Sequence, residues 1–127
     1  MIVGIGTDLV EIARIAALMT KRNEVFAKRI LAQQELERFK QHGQPEKFLA
    51  KRWAAKEAIS KALGTGFTQG VCFTDMIIGH TDQGQPLIEL TGKTAEIAQQ
   101  LGIENWSISI SDEAHYAVAF VIAESRS

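Results

Sequence analysis

EKFLAKRWAAKEAISKALGTG, residues 46–66, is the longest uninterrupted helical pattern in this chain. Its alanines, leucines, lysines and glutamates favour a helix, and no proline or glycine interrupts it before Gly64. Gly64 is a natural stop, because glycine readily adopts the left-handed conformation in which helices often end. The sequence therefore predicts a long helix over 46–63, followed by a flexible Gly64-Thr65-Gly66 loop.

This helix has few faces that suit plain contact with solvent. At about 100° per residue, its large apolar side chains form one broad stripe, and Ala50, Ala54 and Ala58 add a small-residue surface beside that stripe. Arg52 and Lys56 fall inside the apolar stripe. Such a helix is usually central in its domain or assembly. Charges that are partly buried on it need partners.

Glu57 and Lys61 lie beside these alanines, one turn apart. Their spacing fits a simple i,i+4 ion pair in the favoured order, and Arg52 and Lys56 could extend their charged ends into water. The alanines, however, leave open space above Glu57 and Lys61 in which a ligand could sit. The spacing alone leaves both interpretations open.

Short apolar segments bounded by turn residues predict five strands, at residues 2–6, 71–79, 86–90, 106–110 and 116–123. Thr7 and Asp8 are expected to turn the chain after the first strand. Helical spacing begins at Val10, continues over 23–42 with a break near Ala32, and returns at 93–101.

This order of elements decides the fold class. Neighbouring strands joined by short turns are antiparallel, as in the hairpin expected around residues 82–85. The sequence therefore predicts an α+β fold, in which a mainly antiparallel sheet packs against the long central helix.

Asp8 has two interpretations. It precedes a predicted helix and Glu11 follows three residues later, which is the spacing of a capping box with aspartate at the N-cap. It also ends a predicted strand, where its carboxylate would be free to bind a metal. Two carboxylates from separate elements, completed by phosphate oxygens and water, would suit Mg²⁺. Gly4 and Gly6 allow close approach of a backbone or a ligand, and could equally serve tight packing.

Size and composition limit the classes of protein to consider. The chain has 127 residues, 46% hydrophobic and 23% charged, which predicts a single globular domain over 1–127. Cys72 is the only cysteine, and the histidines show no zinc-ligand spacing. The longest apolar run, 117–123, is too short to span a bilayer, and the N-terminus lacks a signal-peptide pattern. A cytoplasmic location is expected.

The net charge of −1 hides an asymmetry along the chain. Residues 1–61 carry 12 Lys and Arg against 7 Asp and Glu, whereas residues 62–127 carry 2 against 8. Residues 12–31 hold one acid, Glu24, and five basic residues. The five are Arg14, Lys21, Arg22, Lys28 and Arg29. This stretch is either a solvated helix face or a docking surface for an acidic partner, with Met19 and Phe26 as apolar anchors.

Three segments together resemble the small phosphopantetheinyl transferases of the holo-acyl-carrier-protein synthase type. They are GIGTDLVEI at 4–12, FLAKRWAAKEAISKA at 48–62 running into GTG at 64–66, and the ending with SIS at 107–109 and YA at 116–117. The resemblance covers nearly the whole chain. The spacing from Asp8 to Glu57 and the Lys-Glu-x-x-x-Lys core at 56–61 make it specific.

The resemblance implies an α+β fold that assembles as a homotrimer, with active sites in the clefts between subunits. The implied reaction moves 4′-phosphopantetheine from coenzyme A to a serine of apo acyl carrier protein, giving holo acyl carrier protein and 3′,5′-ADP. Asp8 and Glu57 would hold Mg²⁺, which also binds the pyrophosphate. Lys61 would neutralise the pyrophosphate and help the leaving group, so metal and lysine together offset the charge that builds up.

The same resemblance implies two further sets of contacts. Coenzyme A would be bound by Arg52, Gly64, Thr65, Gly66 and Pro86. The acidic carrier protein would dock on Arg14, Met19, Arg22, Phe26, Lys28 and Arg29. The group that takes the serine proton stays open among Glu57, Asp8 through water, and a metal-bound hydroxide.

Two positions depart from the family pattern, and two other classes of function compete. Trp53 stands where a Phe is common, and Asp112 stands where some relatives carry a His, so we assign Asp112 no proton-transfer role. A nucleic-acid-binding module would explain the charge asymmetry but not the carboxylates beside Lys61, and no aromatic stacking surface is evident. A structural subunit would need only ordinary ion pairs. The resemblance favours the transferase, with neither nucleic acid nor membrane as a partner.

Overall fold

The computed structural model describes residues 1–22 and 24–126, and of Arg22 it describes the backbone only. These residues form five strands and five α-helices, with a short 3₁₀ turn at Phe73–Asp75. The strands are β1 (Ile2–Glu11), β2 (Met76–His80), β3 (Pro86–Leu90), β4 (Asn105–Asp112) and β5 (Tyr116–Glu124). The helices are α1 (Ile12–Arg22), α2 (Glu24–Ile30), α3 (Gln33–Gln41), α4 (Pro45–Leu63) and α5 (Gly92–Gln100).

The strands form two antiparallel sheets. In the larger one, β5 lies between β1 and β4, so that the first strand pairs with the last. In the smaller one, β2 and β3 form the predicted hairpin. Four helices separate β1 from the other strands along the chain. The predicted α+β class with antiparallel pairing is confirmed.

Helix α4 is the centre of the fold, as the sequence predicted. It packs against the inner face of β1 and β5, where Ala117, Ala119 and Ala123 are fully buried. Small side chains on both partners allow helix and sheet to approach closely. The helix ends at Gly64, which has the left-handed φ of 78° expected for its C-cap.

Two glycines of β1 make this approach possible. A Cβ atom on Gly4 would lie 1.9 Å from the carbonyl oxygen of Ala62, and one on Gly6 would lie 1.8 Å from that of Ala58. These distances are far inside van der Waals contact, so no other residue type fits without moving the strand. The glycines therefore serve tight packing between backbones, which was one of the two interpretations left open.

Strand β1 is longer than predicted. Its pairing with β5 continues to the Glu11–Tyr116 pair, so the turn predicted at Thr7 and Asp8 is wrong. Asp8 lies within the strand opposite Ala119 and does not cap α1, which begins at Ile12. Cross-strand pairing outweighs the low strand propensity of glycine and aspartate here.

The strand predicted at 71–79 begins later than expected. The 3₁₀ turn precedes it, and the strand starts at Met76. The carboxylate of Asp75 explains this, because its Oδ2 accepts a hydrogen bond from Thr94 Oγ1 at 3.1 Å and so ties the turn to α5. Asp75 and Thr94 are 19 residues apart, so the sequence around Asp75 carries no signal of this contact.

The two faces of the larger sheet differ. The inner face joins a single cluster of buried apolar side chains built around α4. On the outer face, Ile5, Leu9, Val118 and Phe120 are exposed side by side on β1 and β5. No helix in the described part of the chain is both long and apolar enough to cross a membrane. The assignment of 1–127 to one domain stays a prediction.

Candidate active site

The close approach of β1 to α4 brings Asp8 to Lys61. The ammonium of Lys61 donates hydrogen bonds to Asp8 Oδ1 at 3.2 Å and to the carbonyl oxygen of Thr7 at 2.9 Å. The other oxygen, Asp8 Oδ2, is buried and has no hydrogen-bond partner among the described residues. A buried carboxylate oxygen without a partner is costly, and this one is available to a ligand.

Glu57 belongs to the same cluster. Burial raises the pKa of Glu57 and the charge of Asp8 raises it further, while Lys61 and Arg14 act in the opposite direction. Two carboxylates that repel each other in a partly buried site are stabilised by a cation. The structure thus brings together all three side chains predicted as catalytic, from two separate elements.

These carboxylates fit a magnesium ion. Mg²⁺ prefers oxygen ligands and is usually bound by one or two carboxylates, with water and substrate phosphates completing the shell. Among the described residues, no group of three or more His, Cys, Asp or Glu side chains could enclose a metal. A cation at Asp8 and Glu57 would therefore take its remaining ligands from substrate and water.

The Gly64–Gly66 loop continues from the helix turn that carries Lys61. Gly64 N–H donates to the carbonyl of Lys61 at 3.0 Å, and Gly66 N–H donates to that of Ser60 at 3.2 Å. Thr65 Oγ1 donates to the carbonyl of Gly66 at 2.7 Å. These bonds cap α4 and occupy two of the N–H groups that a phosphate would need. The predicted contact of this loop with coenzyme A stays a prediction.

Arg52 lies five residues before Glu57, about 140° further round the helix, and lines a different cavity. Its Nε is 3.1 Å from Glu35 Oε2, and the two side chains form an ion pair. Its Nη2 is buried without a partner in the described structure. The guanidinium also covers the ring of Phe48 at 4.5 Å.

Glu35 supplies a buried counter-charge that the sequence did not reveal. Its buried carboxylate forms ion pairs with both Lys56 and Arg52 and accepts hydrogen bonds from the backbone of Ala32 and Ile78. Burial lowers the pKa of Lys56 and of Arg52, and Glu35 opposes both shifts. The buried cations of α4 were predicted to need a partner, and Glu35 on α3 is that partner.

The cavity beside Arg52 has a volume of about 300 Å³ and is strongly cationic. Its charged lining residues are Arg38, Lys47, Lys51, Arg52 and Asp112, and His80 also lines it. The pKa of His80 is lowered by burial and by the nearby charges of Arg52, Arg38 and Lys51. Pro86 pairs with His80 in the hairpin and so lies next to this cavity. Arg52 and Pro86 are therefore grouped here, away from the carboxylates.

The residues predicted for docking lie on α1 and α2. Arg14, Lys28 and Arg29 are exposed, and Lys28 forms an ion pair with Glu24 at 3.8 Å. Met19 is half-buried against the core. The side chain of Arg22 lies outside the described structure.

Phe26, predicted as an apolar anchor of the docking surface, faces the core more than the solvent, and its docking role stays a prediction. Its side chain is buried, with its ring 5.8 Å from that of Trp53. It forms part of a cavity of about 120 Å³ together with Leu18, Val25 and Arg29. Val25, the residue before it on α2, takes the exposed position.

Together, fold and site define a small α+β protein with paired carboxylates beside a lysine and a second, cationic cavity, which suits a phosphorylated ligand. The family model of the 4′-phosphopantetheinyl transferase superfamily matches residues 4–121. A holo-[acyl-carrier-protein] synthase of Vibrio cholerae is 56% identical over 126 residues, covering 99% of this chain and 100% of the relative. The chain therefore belongs to the 4′-phosphopantetheinyl transferase superfamily, and the resemblance seen in the sequence is confirmed.

Solved structures agree with this assignment. The crystal structure of a holo-[acyl-carrier-protein] synthase from Neisseria meningitidis has a TM-score of 0.94 and 45% identity, covering 98% of this chain and 100% of that one. A synthase from Bacillus anthracis, solved in complex with CoA (3′,5′-ADP), has a TM-score of 0.82 and 36% identity, covering 98% of each chain.

Proposed function

We propose that this protein is a holo-acyl-carrier-protein synthase. It transfers 4′-phosphopantetheine from coenzyme A to a serine of apo acyl carrier protein and releases 3′,5′-ADP. The observation that carries the proposal is the unpartnered Asp8 Oδ2, buried on β1 beside Glu57 and Lys61 of α4. Relatives that span the whole chain bear the name of this enzyme, and one solved relative holds coenzyme A or 3′,5′-ADP.

Asp8 and Glu57 are the proposed magnesium ligands. When bound there, Mg²⁺ would supply positive charge to the pyrophosphate of coenzyme A. In support, the two carboxylates come from different elements, and burial together with the charge of Asp8 raises the pKa of Glu57. One of them also keeps an oxygen free.

The reaction itself exchanges one phosphorus–oxygen bond for another. The serine oxygen bonds to the phosphorus that carries pantetheine, and the pyrophosphate bond on the other side of that phosphorus breaks. Negative charge then grows on the departing 3′,5′-ADP, and the Lys61 ammonium offsets it. The serine proton passes to Glu57 or, through water, to Asp8.

The cationic cavity is the proposed site for another phosphate of coenzyme A. Arg52 supports this role because its buried Nη2 lacks a partner in the described structure while Glu35 and Phe48 hold the guanidinium. A fixed guanidinium with free donors binds phosphate well. Pro86 and the Gly64–Gly66 loop complete the proposed contacts with coenzyme A.

The exposed basic residues of α1 and α2 are the proposed docking surface for the acidic carrier protein. Arg14 links this surface to the site, because its charge acts on the carboxylate of Glu57. The cavity lined by Leu18, Val25, Phe26 and Arg29 offers an apolar contact beside these basic residues.

We also propose that three copies assemble through the outer sheet face. Exposed apolar patches of this kind often mark protein–protein contacts. Ile5, Leu9, Val118 and Phe120 form such a patch across two paired strands. A trimer would let active sites be shared between subunits. The cytoplasmic location stays a prediction.

Release of 3′,5′-ADP, followed by chromatography, tests the proposed reaction. The product should appear only when coenzyme A, apo acyl carrier protein and Mg²⁺ are all present, and EDTA should stop its formation. Release that is independent of the carrier protein would contradict the transfer. Release that EDTA leaves unchanged would contradict the metal site.

A further inference from the structure

Asp112 carries an unusual set of contacts inside the cationic cavity. It ends β4, and its two carboxylate oxygens divide between two lysines of α4. Oδ2 is 3.5 Å from Lys47 Nζ and Oδ1 is 3.4 Å from Lys51 Nζ. The lysines are one turn apart on the same side of the helix, so a single small anion can bridge them. In the described structure Asp112 is that anion.

The rest of the cavity increases the positive charge around this bridge. Arg38 and Arg52 also line it, and the pKa of His80 is lowered by burial first and then by the charges of Arg52, Arg38 and Lys51. Of the charged residues that line the cavity, Asp112 is the one acid. A phosphate entering the cavity would meet four cations and one carboxylate of its own sign.

A purely structural role for Asp112 has weak support. Its side chain is 26% exposed, and those of Lys47 and Lys51 are 32% and 37% exposed. Partly exposed ion pairs at such distances contribute only modestly to stability. The contacts are loose enough for the lysines to change partners when another anion arrives.

We propose that Asp112 is an internal counter-anion that lowers the affinity of this cavity for a coenzyme A phosphate. Without ligand it neutralises Lys47 and Lys51. A bound phosphate takes over these lysines and is repelled by the displaced carboxylate. The affinity is thereby lowered, which favours release of 3′,5′-ADP after transfer. The inference rests on the proposed function, because it takes coenzyme A as the ligand.

The experiment is calorimetric titration of 3′,5′-ADP and of coenzyme A into wild type, Asp112→Asn and Asp112→Glu. Asp112→Asn should bind both ligands about threefold to tenfold more tightly at low salt, because a like charge is removed from the site. This advantage should shrink at high salt. Asp112→Glu, which keeps the charge, should stay near wild type. Glu96→Gln removes a charge from an exposed position on α5 and should change nothing.

Kinetics separate this role from a structural one. Asp112→Asn should lower KM for coenzyme A and strengthen inhibition by 3′,5′-ADP, whereas a damaged fold would lower kcat. Titration with 3′-dephospho-coenzyme A identifies the phosphate concerned. The gain is lost with this ligand if the 3′-phosphate occupies the cavity, and it persists if the pyrophosphate does. Asp112→Ser, also neutral, replaces the asparagine variant if that one does not fold.

Equal or weaker binding of 3′,5′-ADP by both neutral variants at low salt would overturn the inference. Equal binding would mean that the charge of Asp112 does not act on the ligand, and weaker binding would mean that Asp112 holds the lysines in place for it. Failure of wild type to bind coenzyme A at all is a different result. It would contradict the proposed function and not the electrostatics of Asp112.

Discussion

Glu35 is the counter-charge of a buried ion cluster that includes two cations of α4. Its carboxylate meets Lys56 and Arg52, and Lys56 also donates to the carbonyl oxygens of Ile30 at 2.7 Å and Phe73 at 3.2 Å. All three charged side chains are almost fully buried. A buried ion cluster of this kind is stable only while its charges balance.

Replacing the charge of Glu35 should therefore be costly. Glu35→Gln keeps the shape but leaves Lys56 and Arg52 without a counter-charge, and we expect unfolding free energy to drop by about 3–5 kcal/mol. Urea denaturation measures this change. Glu37→Gln, on the exposed side of the same helix, is the control and should stay within about 0.5 kcal/mol of wild type. A loss at Glu35 no larger than at Glu37 would show that the cluster is not energetically important.

The sequence could predict one half of this cluster. Arg52 and Lys56 interrupt an apolar stripe, so their need for partners follows from helix periodicity. The identity of the partner does not follow, because Glu35 lies 17 and 21 residues earlier on another helix. A local hint exists at the start of α3, where the N–H of Ala32 donates a hydrogen bond to Glu35 Oε1 at 2.8 Å, which is one half of a capping box.

At the scale of elements, the contact between β1 and α4 positions the proposed metal ligands. Gly6→Ala would place a methyl group against the backbone of Ala58 and force strand and helix apart. We expect a loss of stability on the order of 3 kcal/mol. Activity should fall further than stability explains, because Asp8 moves away from Glu57 and Lys61.

Gly43→Ala is the matched control for this prediction. A Cβ atom at Gly43 meets nothing within 4 Å, and its backbone does not need a positive φ. Thermal unfolding and transfer rates of both variants give the comparison. Wild-type activity in Gly6→Ala would mean that the close approach does not position the site.

The length of β1 shows why element boundaries escape local reasoning. Gly4, Gly6 and Asp8 have low strand propensity, and the sequence ends the strand at Gly6 with a turn at Thr7 and Asp8. Pairing with β5 continues through all four positions. Helix α4, in contrast, was predicted to within one residue because its signals are local.

The basic helices should act on the encounter with the carrier protein. Arg14→Ala and Arg29→Ala should each lower kcat/KM for the carrier protein and leave coenzyme A binding nearly unchanged, with the larger effect at Arg14. The difference from wild type should shrink as salt rises. Steady-state kinetics at low and high ionic strength measure this, with Lys93→Ala on α5 as the control. If the variants and wild type have identical carrier-protein kinetics at low salt, then α1 and α2 are an ordinary solvated surface.

At the scale of the whole molecule, the outer face of the larger sheet exposes apolar side chains that no other part of the described chain covers. Its side chains alternate cleanly with the buried alanines of β5. Alternation alone predicts one face toward a core and the other toward solvent or a partner. The sequence could therefore place these residues on one face, but the proposed trimer comes from the resemblance.

Sedimentation equilibrium tests the assembly. Wild type should sediment at about three times the 14.0 kDa of one chain. Phe120→Glu should dissociate it, because a charge would be buried in the proposed contact. Leu87→Glu alters an exposed apolar residue on the β2–β3 hairpin and should leave the assembly intact. A wild-type monomer with full activity would refute shared active sites.

The central claim is that Asp8, Glu57 and Lys61 perform phosphopantetheine transfer. Intact-mass spectrometry of an apo acyl carrier protein tests this claim most directly. With coenzyme A and Mg²⁺, the wild-type chain should add one phosphopantetheine to the carrier protein. Asp8→Asn and Glu57→Gln, with circular dichroism like that of wild type, should add none. An unmodified carrier protein with wild type, or full modification by either variant at saturating Mg²⁺, would contradict the account.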